Sequence, residues 1–279
     1  MIGCAALFLS IFTAQAQNGT NVRISIIIDD MGDQRQVGLR AIQLPGPVTY
    51  AFLPHTPYSK SLANAAHSQG KEVMLHLPMQ AMKANLLGPG GLTLDMSRKR
   101  FNQTLHNSLA SVPHVVGINN HMGSLLTRHP GHMKWLMEEI KQLDNLYFID
   151  SRTTHHTVAT QLAREHQIPT RERDVFLDDD PNPNAITKQF TRLIEKAIKH
   201  GSAVGIGHPY ESTLDVLTIM LPRLEKMGIE LVPASELVEP AIKLRLANKA
   251  SPDTIPGPLV FNRHSIENDS EFSQPHHKN

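Results

Sequence analysis

Short, nearly continuous apolar segments recur along this chain from residue 22 onward, and segments of helical periodicity separate them. The first of them, residues 24–28, reads ISIII, and its β-branched side chains favour an extended conformation. Eight such segments predict strands at residues 24–28, 48–53, 72–77, 114–119, 146–149, 174–177, 203–207 and 229–232. Strands that are apolar on both faces are typical of a parallel sheet covered by helices. The sequence therefore predicts an α/β fold.

Apolar residues spaced three or four positions apart predict helices between several of these strands. The predicted helices span residues 58–69, 97–110, 131–143 and 184–200. Ser97 is suited to cap the second helix, and Gly70 and Gly201 are stop signals for the first and the fourth. Seven or eight strand–helix units in about 220 residues fit one closed or nearly closed barrel. We predict a single-domain, distorted (β/α)7–8 barrel of parallel strands over residues 17–246, with a doubly wound open sheet as the alternative.

The two ends of the chain differ in composition from this central region. Residues 1–12 form a short apolar run, and the small-residue pattern Ala14-Gln15-Ala16 follows it. This pattern predicts a signal peptide over residues 1–16, with a buried N-terminal helix as the alternative. The run is too short to span a bilayer comfortably, so we expect an exported protein with no stable membrane span. Residues 247–279 are polar and rich in proline, which predicts a disordered tail.

Composition narrows the classes of function. The 27 basic and 26 acidic residues nearly balance, which gives no electrostatic footprint for nucleic acid. The single cysteine, Cys4, lies inside the predicted signal peptide, so the mature protein would contain neither disulfides nor cysteine chemistry. We expect a bacterial periplasmic location. Histidine is unusually common, with 16 copies against nine phenylalanines, and the positions of these histidines therefore matter.

Ionisable and amide side chains collect where the predicted strands end. The residues concerned are Asp29 and Asp30, His76, Asn119, Asn120 and His121, Asp150 and Arg152, and His208, together with Asp174 and Asp178, which flank the strand predicted at 174–177. Because the carboxyl ends of parallel barrel strands open onto one face, we expect these side chains to converge there. Any one of them could equally be an ordinary loop residue or a hydrogen-bonded structural histidine. Taken together, aspartate and histidine without lysine match the ligand chemistry of a borderline divalent metal.

The segment Ile27-Ile28-Asp29-Asp30-Met31-Gly32 resembles the Asp-Asp-Gly motif of the polysaccharide deacetylase superfamily, and most closely its divergent branch of exported bacterial proteins. Later segments are similar to that branch's blocks in the same order. These segments are HLPM at 76–79, GINNHMGS at 117–124, FIDSRT at 148–153, RDVFLD at 173–178 and GHP at 207–209. The resemblance runs from about residue 22 to residue 238.

The resemblance implies a distorted barrel and a metal-dependent hydrolysis of N-acetyl groups on sugars. By the family's motif, Asp29 matches the general base, and Asp30 and His76 match metal ligands. His208 matches the histidine that protonates the leaving amine. We expect Zn2+ as the metal, with iron, nickel and cobalt not separable from it by ligand type.

Two departures from the family's pattern affect this interpretation. The usual His-x-x-x-His motif would place histidine at position 80, where this chain has Gln80, and His121 is the candidate replacement. The usual Arg-x-Pro motif is absent. Four further residues are expected to orient the ligands or meet substrate, and for Asp150 and Asp174 simple loop salt bridges are the alternative. These four residues are Asn120, Asp150, Arg152 and Asp174.

The sequence thus predicts an exported, metal-dependent carbohydrate deacetylase, an amide hydrolase, acting on an envelope glycan or related sugar. The alternative is a catalytically degenerate relative that acts as a periplasmic binding or regulatory factor in cell-envelope maintenance. The Gln80 substitution and an aromatic content of 5% favour that alternative. A glycoside hydrolase is disfavoured, because the adjacent Asp29 and Asp30 would not face each other across a bond.

Overall fold

The computed structural model describes residues 22–83 and 87–239. The predicted signal peptide and the predicted tail lie outside these residues. The strands are β1 (Val22–Met31), β2 (Thr49–Phe52), β3 (Glu72–Met79), β4 (Val115–Met122), β5 (Tyr147–Asp150), β6 (Thr170–Glu172), β7 (Val175–Phe176), β8 (Ser202–Gly207) and β9 (Ile229–Leu231).

Helices lie between most of these strands. They are α1 (Arg35–Ile42), α2 (Ser59–Ser68), α3 (Arg98–Ser111), α4 (Pro130–Gln142), α5 (Ala159–Glu165), α6 (Pro183–His200) and α7 (Glu211–Met220). Short 3₁₀ helices span Leu126–Arg128, Leu221–Arg223, Glu225–Met227 and Ala234–Glu236. Within the described ranges, no helix is both long enough and apolar enough to cross a membrane.

The strands form one sheet in the order β6-β5-β4-β3-β2-β1-β8-β7, with β9 paired to the start of β1, and the pairings are parallel. The outer strands of this order, β6 and β7, follow each other in the chain, as in a barrel opened along one seam. The chain crosses that seam, where the backbone N–H of Arg173 donates to Asp150 (2.9 Å) and that of Asp174 donates to Val204 (2.9 Å). The predicted single-domain, distorted parallel barrel is confirmed, and the doubly wound alternative is wrong because the strand order runs in one direction around the sheet.

Side chains of the strands alternate between two apolar layers, as the period of two in a strand requires. On β1, Ile24, Ile26 and Ile28 pack outward into the large core beneath the helices. Ile27, between them, points inward and packs with Ala51, Met74, Ile149 and Ile206 in a smaller core inside the barrel. Each fully buried isoleucine stabilises the fold by about 1.5–3 kcal/mol. Polar residues at inward positions near the strand ends therefore lie directly above this inner core.

The segment after β9 closes the amino-terminal end of the barrel. Its residues Val232, Ala234 and Leu237 belong to the inner core. Glu72, at the start of β3, accepts hydrogen bonds from the hydroxyl of Tyr147 (2.7 Å) and from the backbone of Ser235 (3.2 Å). Because this end is filled, the polar groups at the carboxyl ends of the strands form the accessible face.

Candidate metal centre and its surroundings

Four strands bring five of the predicted site residues together at the carboxyl end of the barrel. Asp29 and Asp30 lie near the end of β1, His76 in β3, His121 in β4, and His208 directly after β8. A ring nitrogen of each histidine lies 2.9–3.8 Å from a carboxylate oxygen of Asp30. The barrel therefore assembles one polar cluster from residues that are far apart in sequence.

An irregularity in β1 places two neighbouring carboxylates in this cluster. Successive side chains of a regular strand point to opposite faces. Asp30, however, has φ 54°, in the left-handed region, and the register of β1 against β2 shifts between Ile28 and Met31. As a result Nε2 of His76 lies 3.7 Å from Oδ2 of Asp29 and 3.1 Å from Oδ1 of Asp30. Such backbone costs about 1–3 kcal/mol and persists where the surrounding structure holds it.

Asp30, His76 and His121 form what we call the ligand triangle. Oδ1 of Asp30 lies 3.1 Å from Nε2 of His76 and 2.9 Å from Nδ1 of His121, and the two nitrogens are 3.1 Å apart. A tetrahedral ion with bonds of about 2.0–2.1 Å needs ligand atoms about 3.3 Å apart. Oδ1 of Asp30 is buried and accepts no well-aligned hydrogen bond from the described residues. One carboxylate and two imidazoles at these separations fit a divalent cation.

Asn119 links His76 to Asp29 and is fully buried. Its Nδ2 donates to Oδ1 of Asp29 (2.7 Å), and its Oδ1 lies 2.8 Å from Nδ1 of His76. Because an amide oxygen accepts and cannot donate, Nδ1 of His76 carries the proton. Nε2 is therefore the nitrogen that faces the triangle. Burial lowers the pKa of His76, but the charges of Asp29 and Asp30 outweigh burial and raise this pKa. A histidine that donates from its outer nitrogen to an oxygen is the usual arrangement around a bound metal.

The two neighbouring carboxyl groups differ in acidity. Burial raises the pKa of Asp29 above its ordinary value, although the nearby His76 and His208 oppose this effect. Burial acts in the same direction on Asp30, but the imidazoles of His121 and His76 outweigh it and hold the pKa of Asp30 well below its usual range. Asp30 is therefore suited to remain a charged ligand, and Asp29 is the better proton acceptor.

His208 is held by Asp178. Its Nδ1 lies 3.0 Å from Oδ1 of Asp178, and its backbone N–H donates to Oδ2 of the same residue (2.6 Å). The hydroxyl of Thr213 also donates to Oδ2 of Asp178 (2.8 Å). Burial lowers the pKa of His208, but the hydrogen bond and charge of Asp178 outweigh burial and raise this pKa to about 9. His208 is then a cation at neutral pH, and its Nε2 faces Oδ2 of Asp30 at 3.8 Å.

Two more of the predicted site residues, Asn120 and Asp150, form hydrogen bonds with loop residues and not with the triangle. Asn120 accepts a hydrogen bond from the backbone of Ser151 (2.9 Å) and donates to the carbonyl of Met122 (2.7 Å). Asp150 accepts from the backbone N–H of Arg152 (2.8 Å). It also accepts from the hydroxyls of Thr157 and Thr160. These contacts fix the loops that follow β4 and β5.

The remaining two predicted residues have partners near the seam of the barrel. The guanidinium of Arg152 pairs with Glu172. Asp174 accepts from the backbone of Val204 (2.9 Å) and lies 4.0 Å from the ammonium of Lys196. Both residues are therefore engaged in ion pairs near the seam.

Position 80, where the family resemblance places a histidine, contributes to the loops instead. Oε1 of Gln80 accepts a hydrogen bond from the backbone of Leu94 (2.8 Å), and its carbonyl oxygen accepts from Leu125 (3.1 Å) and Leu126 (3.0 Å). Gln80 thereby ties the loop after β3 to the loop after β4. His121 supplies the third atom of the triangle.

The sequence interpretation assigned no role to Asn119 or Asp178, yet both contact the cluster. The signal for Asn119 was its spacing, because a residue two positions before His121 in a strand lies on the same face. Asp178 stands just beyond the end of β7, in the position that defined the other candidates, and its partner His208 lies 30 residues later. Neither pairing is visible before the register of the strands is known.

The barrel and the cluster at its carboxyl end define a class of α/β-barrel proteins with an Asp-His-His cluster that could hold a metal ion. The chain belongs to the divergent polysaccharide deacetylase family, whose profile matches residues 26–238. The resemblance seen in the sequence motifs is thereby confirmed.

Two relatives match most of the chain. A protein of Haemophilus influenzae is 35% identical over 232 residues, which cover 83% of this chain and 80% of that protein. The protein YibQ of Escherichia coli K12 is 36% identical over 239 residues, which cover 85% of this chain and 74% of YibQ.

Solved structures share the fold at lower identity. A protein of Agrobacterium tumefaciens C58 superimposes with a TM-score of 0.75 at 22% identity, over 77% of this chain and 89% of that one. The catalytic domain of a peptidoglycan N-acetylglucosamine deacetylase from Eubacterium rectale gives a TM-score of 0.51 at 14% identity, over 82% and 96% of the two chains. These similarities show a common barrel.

Proposed function

We propose that this protein is an exported, metal-dependent hydrolase that removes N-acetyl groups from amino sugars of an envelope glycan. The observation that carries the proposal is the ligand triangle, with Asp29 and His208 beside it. This arrangement offers a cation site, a proton acceptor and a proton donor within one cluster. Membership of the divergent polysaccharide deacetylase family supports the carbohydrate substrate class.

Asp30, His76 and His121 would hold the metal, for which Zn2+ is our first expectation. A divalent metal bound there supplies Lewis acidity, which lowers the pKa of water and polarises a carbonyl group. Asn119 accepts from Nδ1 of His76, so Nε2 is the nitrogen directed to the triangle. The chain therefore provides both the ligands and the group that orients one of them.

Asp29 is the proposed general base. Its Oδ1 is engaged by the amide of Asn119, which leaves Oδ2 as the free oxygen near the triangle. Burial raises the pKa of this carboxyl, and a raised pKa makes a carboxylate a more effective acceptor for a proton from water.

His208 is the proposed general acid. Its Nδ1 is held on Asp178, and Nε2 faces the cluster. With its pKa raised to about 9, the imidazole is protonated at neutral pH and can donate to a departing amine. Base and acid are thus separate residues, and each is fixed by a buried partner.

The location of the protein is part of the proposal. The apolar run and the small-residue pattern of residues 1–16 support export to the bacterial periplasm. An envelope glycan would be the accessible acetylated polymer in that compartment.

Acetate release from chitooligosaccharides and peptidoglycan tests this function. We expect the zinc-loaded protein to release acetate and the chelated protein to be inactive. Asp29→Asn should lower kcat about 100-fold or more, because it removes the base and leaves the ligands. His67→Ala, an exposed histidine on α2, is the matched control and should retain activity. Wild-type protein that contains no metal after purification without chelators, and binds none on titration, would refute the proposal.

A binding or regulatory role on a degenerate enzyme fold is the second candidate. The observation that favours it is Gln80, whose side chain is committed to the backbone of Leu94 and supplies no ligand. Under this alternative, the protein binds glycan and metal but releases no acetate from any acetylated glycan tested.

A further inference from the structure

A small cavity opens beside the Asp30–His208 edge of the cluster. Its volume is about 160 Å³, and its lining includes Asp30, Asp33, Gln34, Val37, His208 and Tyr210. This is roughly the volume of five water molecules. An acetamido group and the adjoining edge of a sugar ring fit such a space.

Tyr210 presents an aromatic ring at the mouth of this cavity. The residue is 48% exposed, and its ring centroid lies 5.4 Å from that of His208, with the planes inclined by 31°. Its backbone N–H donates to the carbonyl of His208 (2.8 Å), which fixes the two residues relative to each other. Tyr58 is another partly exposed tyrosine, at 37%, but it does not line the cavity. An exposed ring held against the proposed acid is well placed to meet substrate.

The rest of the cavity wall supplies polar groups that are free to bind hydroxyls. Asp33 and Gln34 are exposed, and their side chains make no hydrogen bond or ion pair within residues 22–83 and 87–239. Val37 and the buried Met31 add an apolar portion beside them. Ligand sites typically combine apolar and aromatic surface with a few polar groups that fix orientation. A sugar ring has both an apolar face of C–H groups and a rim of hydroxyls, so it matches this wall.

We propose that Tyr210 is the platform on which the ring of an N-acetylated amino sugar stacks, with Asp33 and Gln34 as partners for its hydroxyls. The acetamido group of the stacked ring then points to Asp30 and His208. The choice of an acetylated sugar rests on the function proposed above. Tyr210 is in this role a positioning residue, and the aromatic ring rather than the hydroxyl provides the contact.

The test measures both binding and kinetics. Binding of N-acetylated chitooligosaccharides is measured by calorimetry with zinc-loaded protein in an Asp29→Asn background, which slows turnover. KM for acetate release is measured with Asp29 in place. Tyr210→Ala and Tyr210→Phe are compared with Tyr58→Ala as the matched control. We expect Tyr210→Ala to raise Kd about tenfold, and KM for acetate release similarly. Tyr210→Phe and Tyr58→Ala should remain within about twofold of their parent, with zinc content unchanged.

The outcomes distinguish the proposed stacking on Tyr210 from the proposed deacetylation. If Tyr210→Ala binds as tightly as its parent, or Tyr210→Phe loses as much as Tyr210→Ala, the stacking role of the ring is wrong while deacetylation can stand. Glycan binding that depends on the ring, without acetate release by the wild type, supports the platform and overturns the deacetylase. Absence of both glycan binding and acetate release overturns both proposals.

Discussion

At the scale of single residues, two buried side chains orient the ionisable groups around the triangle. Asn119 engages Asp29 and His76 at the same time, with contacts of 2.7 and 2.8 Å. Asp178 engages His208 through both its ring and its backbone N–H. The proposed base Asp29 and the proposed ligand His76 are therefore held by Asn119, and the proposed acid His208 is held by Asp178.

Asn119→Leu removes the donor to Asp29 and the acceptor for Nδ1 of His76 in one step. We expect zinc affinity to fall about 10–100-fold, as it does when outer partners of ligating histidines are lost. Titration of zinc in competition with a chelator measures this change. Asn64→Ala, at an exposed position on α2, is the control and should bind zinc normally. Equal affinities in the two variants would show that Asn119 does not orient His76.

Asp178→Asn should lower the pKa of His208. In the native protein the hydrogen bond and charge of Asp178, with smaller contributions from Asp29 and Asp30, outweigh burial and raise this pKa to about 9. Without the carboxylate of Asp178, the imidazole should therefore lose its proton at lower pH. NMR titration of the His208 ring follows the change, and the alkaline limb of the pH–rate profile should move downward with it. A pKa of His208 that stays near 9 in the variant would contradict the assignment.

The raised pKa of His208 also makes the free energy of unfolding depend on pH. Its folded pKa of about 9 exceeds the unfolded value of about 6.5. Its contribution is therefore fully present below about pH 6.5 and is lost as pH rises through about 9. Asp178→Asn should weaken this dependence of the urea midpoint on pH.

At the scale of secondary-structure elements, the apolar strands were readily predicted and the polar ones were not. Strand β6 consists of Thr170–Glu172, and its three polar residues carry no apolar signal. The sequence instead predicted a strand at 174–177, of which Val175–Phe176 forms β7. Helices 58–69, 97–110, 131–143 and 184–200 correspond to α2, α3, α4 and α6 and are confirmed. Helices α1, α5 and α7 were not among the predicted elements.

The convergence of the proposed ligands on one face is predictable from the sequence. Each of them lies near the end of an apolar strand, and the carboxyl ends of the strands form the accessible face of a barrel. The bulge in β1 was not predictable. A regular strand would separate the side chains of Asp29 and Asp30, and only the observed register shift and the φ of Asp30 bring both to the cluster. Local backbone geometry of this kind depends on the neighbouring strand.

Close packing between β4 and β5 supports the strand that carries Asn119. A Cβ atom on Gly117 would lie 2.4–2.7 Å from ring atoms of Tyr147, whose hydroxyl donates a hydrogen bond to Glu72. We expect Gly117→Ala to destabilise the protein by about 1–3 kcal/mol, measured by urea unfolding. Gly131→Ala, in α4, is the control, because its Cβ would meet only the exposed ring of His129. A variant Gly117→Ala as stable as wild type would mean that Tyr147 can move aside.

At the scale of the whole molecule, the site exists only when the barrel is formed. Asp30, His76 and His121 come from β1, β3 and β4, and His208 follows β8 on the other side of β1. The parallel order of these strands places their carboxyl ends together above the inner core. The family relationship covers this same unit, from residue 26 to residue 238.

Anomalous diffraction at the zinc edge, from crystals grown with zinc, tests the central claim most directly. We predict a peak about 2.0–2.2 Å from Oδ1 of Asp30, Nε2 of His76 and Nδ1 of His121. The peak should be absent in His121→Ala and present in His67→Ala. A wild-type crystal with no peak at the triangle, or with zinc held by other histidines, would contradict the account.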